Sequence, residues 1–195
     1  VHTSKLHTTA KVISDIGSPT IVATLFLIGL PLIHPEISWA HAALATLFVT
    51  LIPTLALILM RHRGMVGDRH VTVRSQRGPI MAVAGLSIIL GLVLLVLTSA
   101  EKQLFAEVGG IFLGLAVCSA ITVFWKVSIH GAVATYVGLM ATATIPLVGP
   151  VIALLFSSVI GWSRVQLGHH TPAQVLVGQA VGCAVYLAKV LLWGS

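Results

Sequence analysis

PIMAVAGLSIILGLVLLVLT, residues 79–98, decides the fold: twenty consecutive residues without a charge, opened by Pro79 and followed by the polar turn Ser99-Ala100-Glu101-Lys102-Gln103. As a helix this stretch rises about 30 Å, the thickness of the hydrocarbon core of a bilayer. It is not an isolated core segment, because comparable apolar stretches recur along the 195 residues with short polar links between them. A composition of 57% apolar against 8% charged residues lies far from that of a water-soluble domain.

Downstream, a fourth span is expected to about Trp125, a fifth from after His130 to about Pro146, and a sixth from the Gly149-Pro150 turn to about Trp162. The last span opens at Thr171-Pro172, with Thr suited to the N-cap and Pro to the first helical position, and runs to Trp193. Upstream, spans are expected over about 19–33 and 39–60, turned by His34-Pro35-Glu36, and residues 1–17 read as an amphipathic helix lying at the interface. The fold class is therefore all-α, a polytopic transmembrane bundle of six to seven spans, with seven the count read here, and one domain over 1–195. Trp39, Trp125, Trp162 and Trp193 fall near span ends, as interfacial anchors do. The polar start does not read as a cleavable leader.

The formal net charge of +6 comes from eleven Lys/Arg against five Asp/Glu, yet no basic stripe with interleaved aromatics is present, so no nucleic-acid partner is expected. Cys118 and Cys183 lie inside expected spans without metal-ligand spacing and read as small buried apolar residues. Five of the six arginines crowd into 61–78; Arg61 and Arg63 read as topology signals, whereas Arg69, Arg74 and Arg77 lead into the third span. Counting crossings brings three polar segments to one face: 69–79, Ser128-Ile129-His130, and Ser163-Arg164 through Gln174. Each borders the start of a span, where unpaired N–H groups and the positive helix end favour an anion.

Arginines, histidines and hydroxyls near hydrocarbon are costly unless they are paired or functional, and a phosphate would satisfy them. Cleavage of a phosphate ester by histidine needs a neutral imidazole to attack phosphorus, a second group to protonate the leaving oxygen, and fixed cations for the equatorial oxygens. The segments supply all three. No His-x-x-x-His or Glu-x-x-His pair is present, so neither a metal nor another cofactor is expected.

At these residues the chain resembles the type 2 phosphatidic acid phosphatase superfamily, which includes membrane lipid phosphatases and vanadium haloperoxidases. The family's third motif, Ser-Arg, five residues, His, three residues, Asp, is matched by Ser163-Arg164 and His170, with Gln174 where the family has aspartate. Its second, Pro-Ser-Gly-His, is matched at Ser128 and His130, with Val127 and Ile129 in place of Pro and Gly. Its first, Lys, six residues, Arg-Pro, is matched at Arg77, with Gly78 before the proline and His70, beside Arg69, at the lysine position. The resemblance covers roughly residues 65–180.

The resemblance implies a metal-independent lipid phosphatase acting on a polyprenyl phosphate or diphosphate, or on a phosphatidic acid type lipid. His170 would be the nucleophile, His130 the general acid, and Gln174 the residue orienting the nucleophile. Arg77, Arg164 and Ser128 would hold the phosphoryl group with help from Arg74, and His70 or Arg69 would stand in for the lysine. The rival reading is a degenerate relative that binds or translocates an anionic lipid. The expected partners are a lipid phosphate and the bilayer, with a homo-oligomer left open. A positive-inside count puts the motif face in the cytoplasm. Gly178 and Gly182 read as packing residues.

Overall fold

The computed structural model describes residues 2–67, 71 and 73–193. Among these the chain is helical throughout and has no strand: α1 (His2–Ile16), α2 (Pro19–Ile33), α3 (Trp39–Thr46), α4 (Ile52–His62), α5 (Arg77–Leu97), α6 (Lys102–Phe124), α7 (Ile129–Ala141), α8 (Val148–Gln166) and α9 (Pro172–Trp193). Five helical runs are long and apolar enough to cross a membrane: Trp39–His62, Arg74–Leu97, Lys102–Phe124, Val148–Gln166 and Pro172–Trp193. No more than 39% of any spanning window is buried, so their outer faces are apolar and uncovered, which is the surface a bilayer solvates. The chain is a multi-pass membrane protein by this measure. All four tryptophans stand exposed at or near helix ends.

Seven spans do not form. The expected fifth, which was to reach Pro146, is α7, a helix of 13 residues and about 20 Å, too short for the hydrocarbon core. It ends at the C-cap Thr142, and Pro146 beyond it, which has no N–H to give the carbonyl of Thr142 and disfavours helical geometry at Ile145, does not let it continue. At the other end, the expected interfacial helix α1 and the expected first span α2 are an apolar pair bent by 42°, which makes a sixth crossing if the pair counts as one broken span.

Two compact units divide the chain. The first comprises Val1–Val22 with Val123–Ser195, the second Ala23–Thr122. In the first, α7 is enclosed by α8 and α9, and α1 lies on α8. Contact between α7 and α9 is close enough that a Cβ on Gly178 would run into the carbonyl of Ser128, and one on Gly182 would come within 2.7 Å of Thr135 Cβ. These glycines therefore act in packing and set the distance between the helices that carry the second and third segments.

The second unit is built of long apolar helices, and several of its polar side chains bond to the backbone. Pro53 can donate no N–H into the helical ladder, and the turn before it widens to a π-segment over Leu47–Leu51. Ser87 from α5 donates its hydroxyl to the carbonyl of Phe48 in that segment at 2.6 Å. Thr46, Thr50 and Thr54 each return their hydroxyls to the carbonyl four residues earlier. Ser38 caps α3, and Glu101 in the α5–α6 turn accepts from Ser38 N–H at 2.9 Å and pairs with His41 Nδ1 at 3.0 Å. Burial alone would raise the Glu101 carboxyl, but hydrogen bonds from its own backbone, Ser38 and His41, with the charge of His41, hold it below the ordinary carboxylate value.

Candidate functional site

The third segment is shaped by how α8 ends. Gly168 adopts φ of +67°, a left-handed conformation in which a side chain is strained. Gly168 N–H donates to Val165 O at 2.9 Å and His169 N–H to Arg164 O at 3.0 Å, the pair of bonds that defines a Schellman cap. His170 N–H adds a third bond, also to Arg164 O, at 3.2 Å. The cap folds the chain back so that the two histidines lie over the turn carrying Arg164.

The next helix starts with a capping box. Gln174 N–H donates to Thr171 Oγ1 at 3.3 Å, and Gln174 Oε1 accepts from Thr171 N–H at 3.2 Å. The same oxygen meets His170 Nδ1 at 3.1 Å. Because the backbone N–H of Thr171 must face an acceptor, the amide is oriented with its oxygen toward both groups, and an oxygen opposite Nδ1 requires Nδ1 to carry the proton. The lone pair of His170 is then on Nε2, the nitrogen that a nucleophile or proton acceptor would use. Gln174 thus orients His170 as an aspartate would, without offering an imidazolium a counter-charge.

The second segment meets the third directly. Ser128 is the N-cap of α7, its Oγ accepting from Gly131 N–H at 3.3 Å, and its own N–H donates to Gln174 O at 3.1 Å. Two residues earlier, Lys126 donates from Nζ to His169 O at 2.6 Å. These bonds join residues some forty positions apart. Arg164 is fully buried, and its Nη1 donates to Ser14 Oγ of α1 at 2.6 Å. Ser128 is also fully buried, and His130 and His170 are each 6% exposed, so the polar groups sit inside the helix cluster instead of on its outer surface.

Of the residues singled out in the sequence, Ser128, His130, Arg164, His170 and Gln174 belong to the first compact unit. Arg74 and Arg77 belong to the second, where Arg77 is buried with Nε donating to Val71 O at 2.9 Å, and Arg74 Nη1 reaches Thr122 O near the end of α6 at 3.4 Å. Arg69 and His70 lie outside the described residues. Sequence reasoning missed two participants. Lys126 was not singled out, although its place two residues before Ser128 was a signal; for Ser14, which stands 150 positions from Arg164, no sequence signal existed.

Among the described residues no group of three or more His, Cys, Asp or Glu side chains is arranged to hold a metal ion. The first unit holds one acidic residue, Asp15, against Lys5, Lys11, Lys126, Arg164 and Lys189. Of these, Lys126 and Arg164 stand at the end where α7 and α9 start, and fixed positive charge beside two helix N-termini suits an anion. Compared with known proteins, the chain matches no family model, no curated protein and no solved structure.

Proposed function

We propose that the chain is a membrane-embedded lipid phosphatase that hydrolyses a phosphomonoester or diphosphate of a lipid through a phosphohistidine on His170. The observation that carries this reading is the orientation of His170: its Nδ1 is held by Gln174 Oε1, which leaves the lone pair on Nε2, in a turn folded onto Arg164. In the first step Nε2 would form the N–P bond while the P–O bond to the lipid breaks, and His130 would give its proton to the departing alkoxide. In the second, water would attack phosphorus, giving a proton to His130 as the N–P bond breaks and its electron pair returns to His170 Nε2, and free phosphate would leave. Arg164 supplies charge for the phosphoryl oxygens, and Ser128 a hydroxyl. Arg74, Arg77, and Arg69 or His70 enter the proposal from the sequence alone.

The lipid tails would stay among the apolar helix faces while the phosphate reaches the polar end of the cluster. A positive-inside count favours the cytoplasmic side for that end. The second reading, binding of an anionic lipid without turnover, is favoured by Gln174, which offers a phosphohistidine pathway no carboxylate.

The test is phosphate release by purified protein in detergent from a panel of lipid phosphates and diphosphates, with EDTA present. Release that resists EDTA and disappears in His170→Ala is the expected result. Equal release by that variant would exclude the mechanism, and saturable lipid binding with no release from any substrate would favour the second reading.

A further inference from the structure

Ser14 and Arg164 are both fully buried, and the hydrogen bond between Ser14 Oγ and Arg164 Nη1, at 2.6 Å, ties the N-terminal helix to the end of α8. We infer that Ser14 is a positioning residue for Arg164, which makes α1 a component of the anion site and not a peripheral anchor. The inference rests on the phosphatase reading and adds a residue to it.

Three observations carry it. The seat for α1 is built by small residues: Ala10, Ser14 and Gly17 recur at helical spacing and are all buried, and a Cβ on Gly17 would stand 2.7 Å from Ile160 Cγ1, one turn before Arg164. The contact is made by a hydroxyl, which accepts one of the five guanidinium N–H groups and brings no charge of its own. An arginine otherwise moves through several rotamers, so fixing its head in advance reduces the ordering needed when the anion binds. A carboxylate at position 14 would fix the head equally well and cancel the charge.

The prediction concerns binding more than chemistry. In the full chain purified in detergent, Ser14→Ala raises the KM for a lipid phosphate and the inhibition constant of inorganic phosphate about tenfold, the factor expected for loss of one hydrogen bond to a charged group, with kcat changed much less. Ser14→Cys, which keeps the volume and weakens the acceptor, follows Ala. Thermal unfolding of both variants shows whether the helix contact survives. Unchanged KM and phosphate inhibition in folded variants, beside an active wild type, would overturn the role of Ser14 alone. A wild type that neither releases nor binds phosphate would remove the phosphatase reading and this inference with it.

Discussion

The two compact units distribute their polar side chains differently. In the unit of Ala23–Thr122, the hydroxyls of Thr46, Thr50 and Thr54 close onto their own helix, and Ser87 fills the carbonyl opened by the π-segment. In the other, Ser14 with Arg164, Lys126 with His169, and Ser128 with Gln174 join segments distant in sequence. The unit of Ala23–Thr122 also joins distant residues, Thr24 with Thr50 and Ser38 and His41 with Glu101, but at separate places, whereas the bonds of the other unit converge on residues 164–174. The contrast teaches where a site can be built in an apolar protein. α7 is too short to cross and is enclosed on its flanks, so its N-terminal polar residues are held by protein and not presented to lipid.

Five substitutions test that contrast. His170→Ala is expected to cut phosphate release by more than about a thousandfold, as loss of a nucleophile does. Gly178→Val forces a branched side chain against the Ser128 carbonyl; it should lower stability by about 1–3 kcal/mol in thermal unfolding and lower phosphate release with it. Its counterpart in the second unit is Gly109→Ala. Nothing lies within 4 Å of a Cβ there, so the same assay should show a gain of about 0.5–1 kcal/mol and unchanged release. Equal loss in both would erase the distinction between the units.

Gln174→Ala removes the acceptor that orients His170 and half of the capping box, and roughly tenfold slower turnover is expected. The smallest effect belongs to the second unit. Glu101→Gln keeps an acceptor for Ser38 N–H but loses the charged partner of His41, costing about 0.5 kcal/mol at neutral pH. Because the folded carboxyl is held below its ordinary value, its contribution is present above that value and is lost as pH falls through the depressed one. The difference between wild type and variant in thermal unfolding should therefore disappear as pH falls through the depressed value of the Glu101 carboxyl, with phosphate release unaffected throughout.

Much of the fold was legible in residues 79–98 and their counterparts, since an apolar run of that length can hide its backbone only as a helix in a bilayer. The count of crossings was not. Hydropathy over 129–146 is continuous, yet α7 ends at Ala141, short of Pro146. Residues 1–17 read as amphipathic, but an interface and a protein neighbour reward the same periodicity, and the small row Ala10, Ser14, Gly17 selects α8.

For the site, counting crossings brought the polar segments together, and the resemblance to the family's motifs singled out Ser128, His130, Arg164, His170 and Gln174 within them. The turn that folds His170 over Arg164 is local chemistry, written in Gly168 and in the Thr171-to-Gln174 box, and could be read from neighbours a few residues apart. Ser14 and Lys126 became participants only through tertiary structure. A hydrogen bond between positions 14 and 164 depends on which helix face lies against which, and that is decided by the packing of small residues along whole helices, a property no single stretch of the chain contains.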